Sequence, residues 1–301
     1  MPGQTPLDAR SSILNLTDGR VLSFLEVGDP SGPLVLHHHG GPSSRLEALL
    51  LEPAAREVGV RLVCIDRPGM GHSSPQQERS FDGWSRDLIA MADHLAARTF
   101  GVTGWSEGGP WAIAAAALVP RERLRHATSI AGGSYGTFGD DWAAPLQSKV
   151  DALGGRLALH FSPGFTLMYS LLEYEVRRSP KTFVKQMLAA ISDADRAVLS
   201  DQTILEQFID AASECFAQGV DGLVRDAKVL YRAWSFDVRA IDRVVHFWQG
   251  IDDRLVPHEI NHRVAQAMPK AVWHPVSPGG HFIAVTQARE ILSIARREIE
   301  G

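Results

Sequence analysis

The chain has 301 residues, of which 45% are apolar and 22% charged, and its net charge at pH 7 is −5. This length fits one domain with an insertion, and the small acidic excess excludes the basic footprint of a nucleic-acid-binding protein. No run approaches the roughly 18–20 apolar residues of a membrane helix, and residues 1–12 lack the apolar stretch of a signal peptide, so we expect a cytoplasmic chain without a membrane partner.

Runs of β-forming residues alternate with helical patterns along much of the chain. The eight predicted strands are 12–16, 21–27, 34–38, 61–65, 100–103, 126–131, 244–248 and 271–276. The predicted helices are 46–57, 81–97, 111–118, 259–268 and 282–299. The turn at 17–20 indicates an antiparallel hairpin, whereas strand–helix alternation indicates right-handed crossovers. We therefore expect an α/β fold with a mostly parallel eight-stranded sheet flanked by helices.

The alternation stops between residues 136 and 236. This block is helical in pattern, with its longest stretch at 203–234, and has no convincing strand. Since the alternation resumes afterwards, we predict an all-helical cap, 136–236, inserted into a core formed by 1–135 and 237–301. The following aromatic residues are expected mainly in apolar packing: Phe161, Phe165, Phe183, Trp234 and Phe236.

The segment Gly104-Trp105-Ser106-Glu107-Gly108 lies between a predicted strand and an apolar, alanine-rich helix. This is the context of a G-x-S-x-G nucleophile elbow. The serine must adopt a strained conformation on a sharp turn, and the two glycines let strand and helix approach without Cβ clashes. The following helix directs N–H groups and its positive dipole end towards a substrate oxygen. The motif predicts Ser106 as a nucleophile.

With this elbow, the chain resembles the α/β-hydrolase superfamily over almost its whole length, in particular capped serine hydrolases of the carboxylesterase and proline-iminopeptidase-like branch. The third predicted strand leads into Gly40-Gly41-Pro42, which is similar to the H-G-x-P oxyanion loop of that family. The resemblance implies that the backbone N–H of Glu107 and that of Gly41, with Gly40 as the alternative, polarise the scissile carbonyl.

The same resemblance implies that the base and acid follow the nucleophile in the order Ser, acid, His. Strand 271–276 precedes Ser-Pro-Gly-Gly-His at 277–281, which puts His281 on a glycine-rich loop before the last helix. A neutral histidine with a pKa near 6.5 can accept the seryl proton and return it to the leaving group. We therefore predict His281 as the general base.

The predicted acid is Asp253. The family pattern G-x-x-D-x-x-V-P matches residues 250–257 and aligns Asp253 with the acid, which would hold the histidine tautomer. Asp252 remains a competitor, because a one-residue shift of the loop exchanges the two. Asp140 and Asp141 are weaker candidates for a relocated acid.

Two further motifs are interpreted as structural. Residues 66–73, Asp-Arg-Pro-Gly-Met-Gly-His-Ser, match a family loop whose Asp66 can bond to loop N–H groups. The run His37-His38-His39 invites a metal site, but side chains on a strand alternate faces, so three successive histidines do not converge on one ion. We expect no metal and expect His39 to brace the oxyanion loop through its backbone.

The leading functional hypothesis is that a small-molecule substrate, an uncharged or weakly charged carboxylic ester, is hydrolysed through an acyl-enzyme, with no cofactor. Ser106 argues against relatives that use an Asp nucleophile, while C–C hydrolase and haloperoxidase activities stay open. The closest alternative is a proline-iminopeptidase-like aminopeptidase, although such peptidases usually carry Trp after the nucleophile, where this chain has Glu107. Glu173 or Glu175 would then have to bind the free amine. A ligand receptor that keeps the pocket with little turnover is the alternative from another class.

Overall fold

The computed structural model describes residues 10–301 except 142, 145, 147 and 148. The strands are β1 Ser11–Asn15, β2 Val21–Gly28, β3 Leu34–His38, β4 Arg61–Ile65, β5 Phe100–Trp105, β6 Leu124–Ile130, β7 Val245–Gly250 and β8 Ala271–Val276. They form one sheet in the order β1-β2-β4-β3-β5-β6-β7-β8. The β1–β2 and β2–β4 pairs are antiparallel, and the other neighbours are parallel. The predicted mixed sheet is confirmed, each strand within two residues of its predicted bounds.

The described residues form twelve α-helices. They are α1 Ala48–Val58, α2 Phe81–His94, α3 Gly109–Leu118, α4 Lys149–His160, α5 Ser162–Arg178, α6 Pro180–Ala190, α7 Asp193–Val198, α8 Gln202–Cys215, α9 Asp221–Tyr231, α10 His258–Ala267, α11 Ile283–Thr286 and α12 Ala288–Glu300. The predicted final helix, 282–299, is therefore two helices. No helix among these is long and apolar enough to cross a membrane.

Helices cover both faces of the sheet because successive strand side chains point to opposite faces. In β3, Leu34 and Leu36 belong to one apolar core with α2, α3 and α10, whereas Val35 belongs to a second core with α1 and α12. Since both faces are buried, β3 is apolar at three successive positions rather than alternating with polar residues. The helices therefore fix the sheet between two apolar layers.

Helices α4–α9 occupy the chain between β6 and β7, and the described residues there contain no strand. Phe165 and Phe183 belong to an apolar cluster of this segment, as expected. Phe161 is 58% exposed, so its predicted place in apolar packing was wrong. Trp234 and Phe236 pack beside Phe81 of α2, with ring centroids 5.5 and 5.4 Å away.

 The predicted stretch 203–234 is divided between α8 and α9, and Gly219 between these two helices adopts a φ of +85°. That angle lies in the left-handed region that glycine adopts readily, and the Gly219 N–H donates to the carbonyl oxygen of Phe216 in the turn between the two helices.

The parallel strands all end at the same edge of the sheet, and this edge is where loops from different parts of the chain meet. The loops that follow β3, β5, β7 and β8 carry the predicted oxyanion residues, nucleophile, acid and base in turn. The topology therefore brings distant segments of the sequence to one place.

Candidate active site

Ser106 lies on the turn between β5 and α3, and its φ is +55°, in the left-handed region that is strained for a serine. A Cβ on Gly104 would lie 2.1 Å from the carbonyl oxygen of Gly108. One on Gly108 would lie 2.0 Å from the carbonyl oxygen of His38. Only glycine fits at these two positions without a backbone shift, which is the steric requirement deduced from the motif.

His281 is paired with Asp253 on the loops that follow β8 and β7. Its Nδ1 lies 2.9 Å from Asp253 Oδ2, and both side chains are buried. The other carboxylate oxygen accepts the N–H groups of Leu255 and Val256, each at 2.9 Å. With Nδ1 donating to the carboxylate, Nε2 of the neutral ring is left as the proton acceptor.

Asp252, the competing acid, is exposed and faces another partner. Its Oδ2 accepts the N–H of Gly279 at 3.1 Å. Asp141 is also exposed, and the side chain of Asp140 lies outside the described part of the chain. Of the three candidate acids whose side chains the structure describes, Asp253 forms the bond to His281.

The elbow and the histidine loop touch each other through Trp105. Its indole Nε1 donates to the carbonyl oxygen of His281 at 2.9 Å, and the two rings lie 5.8 Å apart between centroids. Trp105 immediately precedes Ser106, so this hydrogen bond ties the loop of the predicted base to the predicted nucleophile. The position of Trp105 directly before the serine gives it this role in the structure.

Burial and the nearby carboxylates shift the pKa of His281 in opposite directions. Burial by itself lowers the pKa of the imidazole, but the charge and hydrogen bond of Asp253 raise it, with further contributions from Asp195 and Glu47. The net effect is a pKa above the ordinary value of 6.5. The pair thus favours the imidazolium that forms when the ring takes up a proton.

The backbone N–H of Gly40 already donates a hydrogen bond within the protein. It donates to both carboxylate oxygens of Glu47, at 3.1 Å each, and Glu47 Oε1 also bonds His37 Nε2 at 2.9 Å. A donor bound to a buried carboxylate is not available to a substrate oxygen. The alternative that placed Gly40 in the oxyanion hole is therefore disfavoured, which leaves Gly41 beside Glu107 as the predicted donor pair.

The three successive histidines each form a hydrogen bond to a different protein atom. His37 Nδ1 bonds Thr103 Oγ1, and His38 Nδ1 bonds the carbonyl oxygen of Thr103. His39 Nδ1 bonds the carbonyl oxygen of Gly40 at 2.8 Å, as expected from the sequence. Burial lowers the pKa of His38 to about 3, so that ring is neutral at pH 7.

Arg67 hydrogen-bonds to the loop at His39 and Gly40, and it is itself paired with a residue of the helical segment. Its guanidinium donates to the carbonyl oxygens of His39 and Gly40. Its Nε donates to Asp226 of α9 at 2.7 Å, and both side chains are fully buried. Arg79 donates to the other oxygen of Asp226 at 2.8 Å. The helical segment thus supplies the countercharge for the arginine that supports the oxyanion loop.

Replacing Asp226 by alanine would leave two buried arginines without their carboxylate. We expect the free energy of unfolding to fall by about 3–5 kcal/mol, the usual cost of removing one partner from a buried pair. Urea denaturation followed by tryptophan fluorescence measures this loss. Asp242→Asn is the matched control, because Asp242 pairs with Arg121 on the exposed surface and should change stability little. Equal losses in the two variants would contradict the bracing role.

Loop 66–73 is structural, as predicted from the sequence. Asp66 is buried and accepts the N–H of His72 at 3.0 Å and that of Arg45 at 2.6 Å. Asp66 Oδ2, which accepts the His72 N–H, also accepts from the Arg45 guanidinium at 2.8 Å. These bonds hold the loop that carries Arg67.

A separate group of metal-ligand types lies near the amino ends of β6 and β7, at the edge opposite Ser106. Glu298 bonds His126 at 2.7 Å and His246 at 2.9 Å, and the three ligand atoms lie within 4.8 Å of one another. Each histidine is hydrogen-bonded to a separate oxygen of the Glu298 carboxylate, and Arg243 and Lys270 line the adjoining cleft. The neighbouring cations disfavour a further positive charge there.

Comparisons with known proteins agree with this architecture. A family model described as the alpha/beta hydrolase fold matches residues 33–288. An acetyltransferase component of the acetoin cleaving system from Pseudomonas putida is 32% identical over 63% of this chain, which spans about half, 53%, of that relative. A proline iminopeptidase from Lactobacillus helveticus is 35% identical over 27% of this chain and 29% of its own.

Among solved structures, an esterase from Exiguobacterium antarcticum superposes with a TM-score of 0.64 over 96% of this chain and 99% of its own, at 15% identity. At that identity the likeness concerns the fold alone. The family model, in contrast, covers most of the sequence. The chain therefore belongs to the alpha/beta-hydrolase fold family.

Proposed function

We propose that this protein is a serine hydrolase that cleaves small carboxylic esters through an acyl-enzyme on Ser106. The observation that carries the proposal is the strained elbow conformation of Ser106, at φ +55°, joined through Trp105 to a histidine whose Nδ1 is held by a buried aspartate. Strain at a nucleophile and an oriented base are the two features that serine-dependent acyl transfer needs.

In the first half of the proposed reaction, Ser106 Oγ attacks the carbonyl carbon of the ester, and His281 Nε2 takes the hydroxyl proton. The carbonyl oxygen becomes an oxyanion, which the N–H groups of Gly41 and Glu107 stabilise. Collapse of this intermediate breaks the bond to the alkoxy oxygen. His281 returns its proton to that oxygen, and the alcohol leaves.

In the second half, a water molecule attacks the acyl-enzyme while His281 accepts one of its protons. The tetrahedral intermediate collapses, the bond to Ser106 Oγ breaks, and the proton passes to that oxygen. The carboxylic acid leaves, and the serine is restored. Asp253 holds the ring throughout and stabilises the imidazolium without taking its proton.

The charge beside the nucleophile favours a substrate without a negative charge near its carbonyl group. A Cβ on Gly41 would lie 1.9 Å from Glu107 Oε2, so the Glu107 carboxyl group lies directly against the predicted oxyanion loop. The buried carboxylate of Glu47 accepts the N–H of Gly40 in the same loop. Because carboxylates repel an anion at such range, an uncharged ester is the substrate class we infer.

We propose that the helical segment is the cap of this site. Its Phe208 lies 5.2 Å from Phe282, the residue after His281, between ring centroids. Its Asp226 supports the oxyanion loop through Arg67. A segment with these contacts would exclude water from the acyl-enzyme and limit the length of the acyl chain.

The second candidate is an aminopeptidase of the proline-iminopeptidase kind. The match to the Lactobacillus enzyme and the Gly40-Gly41-Pro42 loop favour it. The discriminating feature is a carboxylate for the free amine. Glu173 is engaged with Arg177, and Glu175 with Gln186, so neither of the glutamates considered from the sequence is free of a partner.

The test is hydrolysis of p-nitrophenyl esters from acetate to decanoate, alongside proline p-nitroanilide, by the wild-type protein. Ester cleavage with a chain-length optimum supports the esterase proposal, and the optimum reports the depth of the capped pocket. Amide cleavage with little ester cleavage would indicate that the protein is a peptidase. No turnover of any substrate by the folded protein would overturn the proposal in favour of a ligand receptor.

The pH dependence of ester hydrolysis follows from the raised pKa of His281. The ring must be neutral to accept the seryl proton, so kcat/KM should fall as the pH decreases through that pKa. Since the pKa lies above 6.5, the half-maximal point of the acid limb should also lie above 6.5. Initial rates at subsaturating ester between about pH 5 and 9 measure it. A half-maximal point clearly below 6.5 would contradict the raised pKa of His281.

A further inference from the structure

The amino end of α7, in the helical segment, is in direct contact with the His281 loop. Asp195 Oδ1 accepts the backbone N–H of Phe282, the residue after His281, at 2.8 Å. Asp195 Oδ2 accepts the hydroxyl of Ser192 at 2.8 Å and its N–H at 3.3 Å. Asp195 is 1% exposed. One carboxylate thus caps its own helix and holds the loop of the predicted base.

The fit between α7 and this loop is tight. A Cβ on Gly280 would lie 2.1 Å from Asp195 Oδ2 and 2.2 Å from Ser192 Oγ. Only a glycine before His281 lets the helix end approach so closely. The apolar residues around the contact, Ile191 and Leu199, are buried in one cluster with Phe282. Such surroundings leave the carboxylate weakly screened by water.

Helix capping alone does not account for these contacts. A capping box needs Ser192 and Asp195 to satisfy each other's backbone N–H groups, and both of those bonds are present. The bond to Phe282 is additional, and it crosses 87 residues of sequence. Three carboxylates, those of Asp253, Asp195 and Glu47, act on the His281 ring, and each raises its pKa.

We propose that Asp195 is a positioning residue for His281, supplied by the helical segment. By holding the N–H of Phe282 and placing a negative charge near the imidazole, it orients the base and favours its protonated form. The base is then complete only when α7 is seated on the core. This inference rests on the proposed function, in which His281 is the general base.

The experiment compares Asp195→Ala and Asp195→Asn with the wild-type protein. Alanine removes both the hydrogen bond and the charge, whereas asparagine keeps an acceptor for Phe282 and removes the charge. We expect Asp195→Ala to lower kcat for p-nitrophenyl ester hydrolysis by about 10- to 100-fold, because small misplacements of a reacting group have effects of this size. Asp195→Asn should retain more of kcat than alanine. Both variants should shift the acid limb of kcat/KM to lower pH.

Titration of His281 by ¹⁵N NMR gives a readout that needs no substrate. The pKa of its imidazole should be lower in both variants than in the wild-type protein, because a nearby negative charge is lost. The matched control is Asp201→Ala, because alanine removes a helix cap that asparagine would retain. Asp201 is the exposed N-cap of the neighbouring helix α8 and accepts the N–H of Thr203 and Ile204, so it tests capping without contact to the base loop.

The outcomes separate the two proposals. Unchanged His281 titration and unchanged kcat in folded Asp195→Asn and Asp195→Ala would overturn the positioning role while leaving ester hydrolysis in place. The same would follow if Asp201→Ala reproduced both changes, since the loss of a helix cap would then suffice. A lowered His281 pKa in a protein without any ester hydrolysis would support the contact and overturn the proposed function instead.

Discussion

Ser106→Ala is expected to lower kcat for ester hydrolysis by about a millionfold, to the level supported by the oxyanion donors and substrate binding alone. The reason is that alanine has no oxygen to attack the carbonyl carbon, so no acyl-enzyme forms. The measurement is the steady-state rate with the best p-nitrophenyl ester, at an enzyme concentration high enough to detect the residual turnover. The rate of the uncatalysed reaction in the same buffer is subtracted.

The fold should survive this substitution, because alanine removes one hydroxyl oxygen from a partly exposed side chain. Replacement of the strained serine leaves a residue with a Cβ at the same positive φ, so backbone strain is unchanged. Far-UV circular dichroism and the midpoint of thermal unfolding provide the control. If folded Ser106→Ala kept more than about a hundredth of the wild-type kcat, Ser106 would not be the nucleophile.

The second large effect is expected for Asp253→Asn, which should lower kcat by about 10⁴-fold. An asparagine amide facing Nδ1 favours the wrong tautomer of His281, with the proton on Nε2, where it blocks acceptance of the seryl proton. The amide also removes the charge that stabilises the imidazolium. The loss should appear in kcat, with a smaller change in KM, because the charge pair matters most in the transition state.

Asp252→Asn is the matched control for this prediction. It makes the same chemical change one residue away, on an exposed side chain whose acceptor for the Gly279 N–H the amide oxygen can retain. A loss below about tenfold, equal to about 1.4 kcal/mol, is expected. A reversal, with Asp252→Asn the more damaging variant, would assign the acid to the other aspartate.

Much of the fold and the elbow could be predicted because their signals are local. A strand buried on both faces is recognisable from its own apolar run, and the G-x-S-x-G spacing reflects contacts within five residues. The choice of Asp253 rests on a local turn as well. Its carboxylate caps the N–H groups of Leu255 and Val256, which is why the predicted acid lies at a fixed distance before Val256-Pro257.

The supporting residues were missed because their partners are distant in the sequence. Arg67 and Asp226 are 159 residues apart, and no spacing rule connects them. Asp195 could be recognised as a helix-start residue, but its bond to Phe282 depends on how the helical segment lies on the core. Gly40 remained an alternative oxyanion donor for the same reason. Its N–H is bound by Glu47, whose position depends on how the chain turns into α1.

The central claim is that Ser106 is activated by the His281–Asp253 pair, and labelling with a fluorophosphonate tests it without any assumption about the substrate. Such a reagent phosphonylates an activated serine, and mass spectrometry of the digested protein identifies the modified residue. We predict one adduct, on Ser106, that forms much more slowly in His281→Ala and in Asp253→Asn. A folded wild-type protein that takes up no label on Ser106, or takes it up equally fast in the His281 variant, would contradict the account.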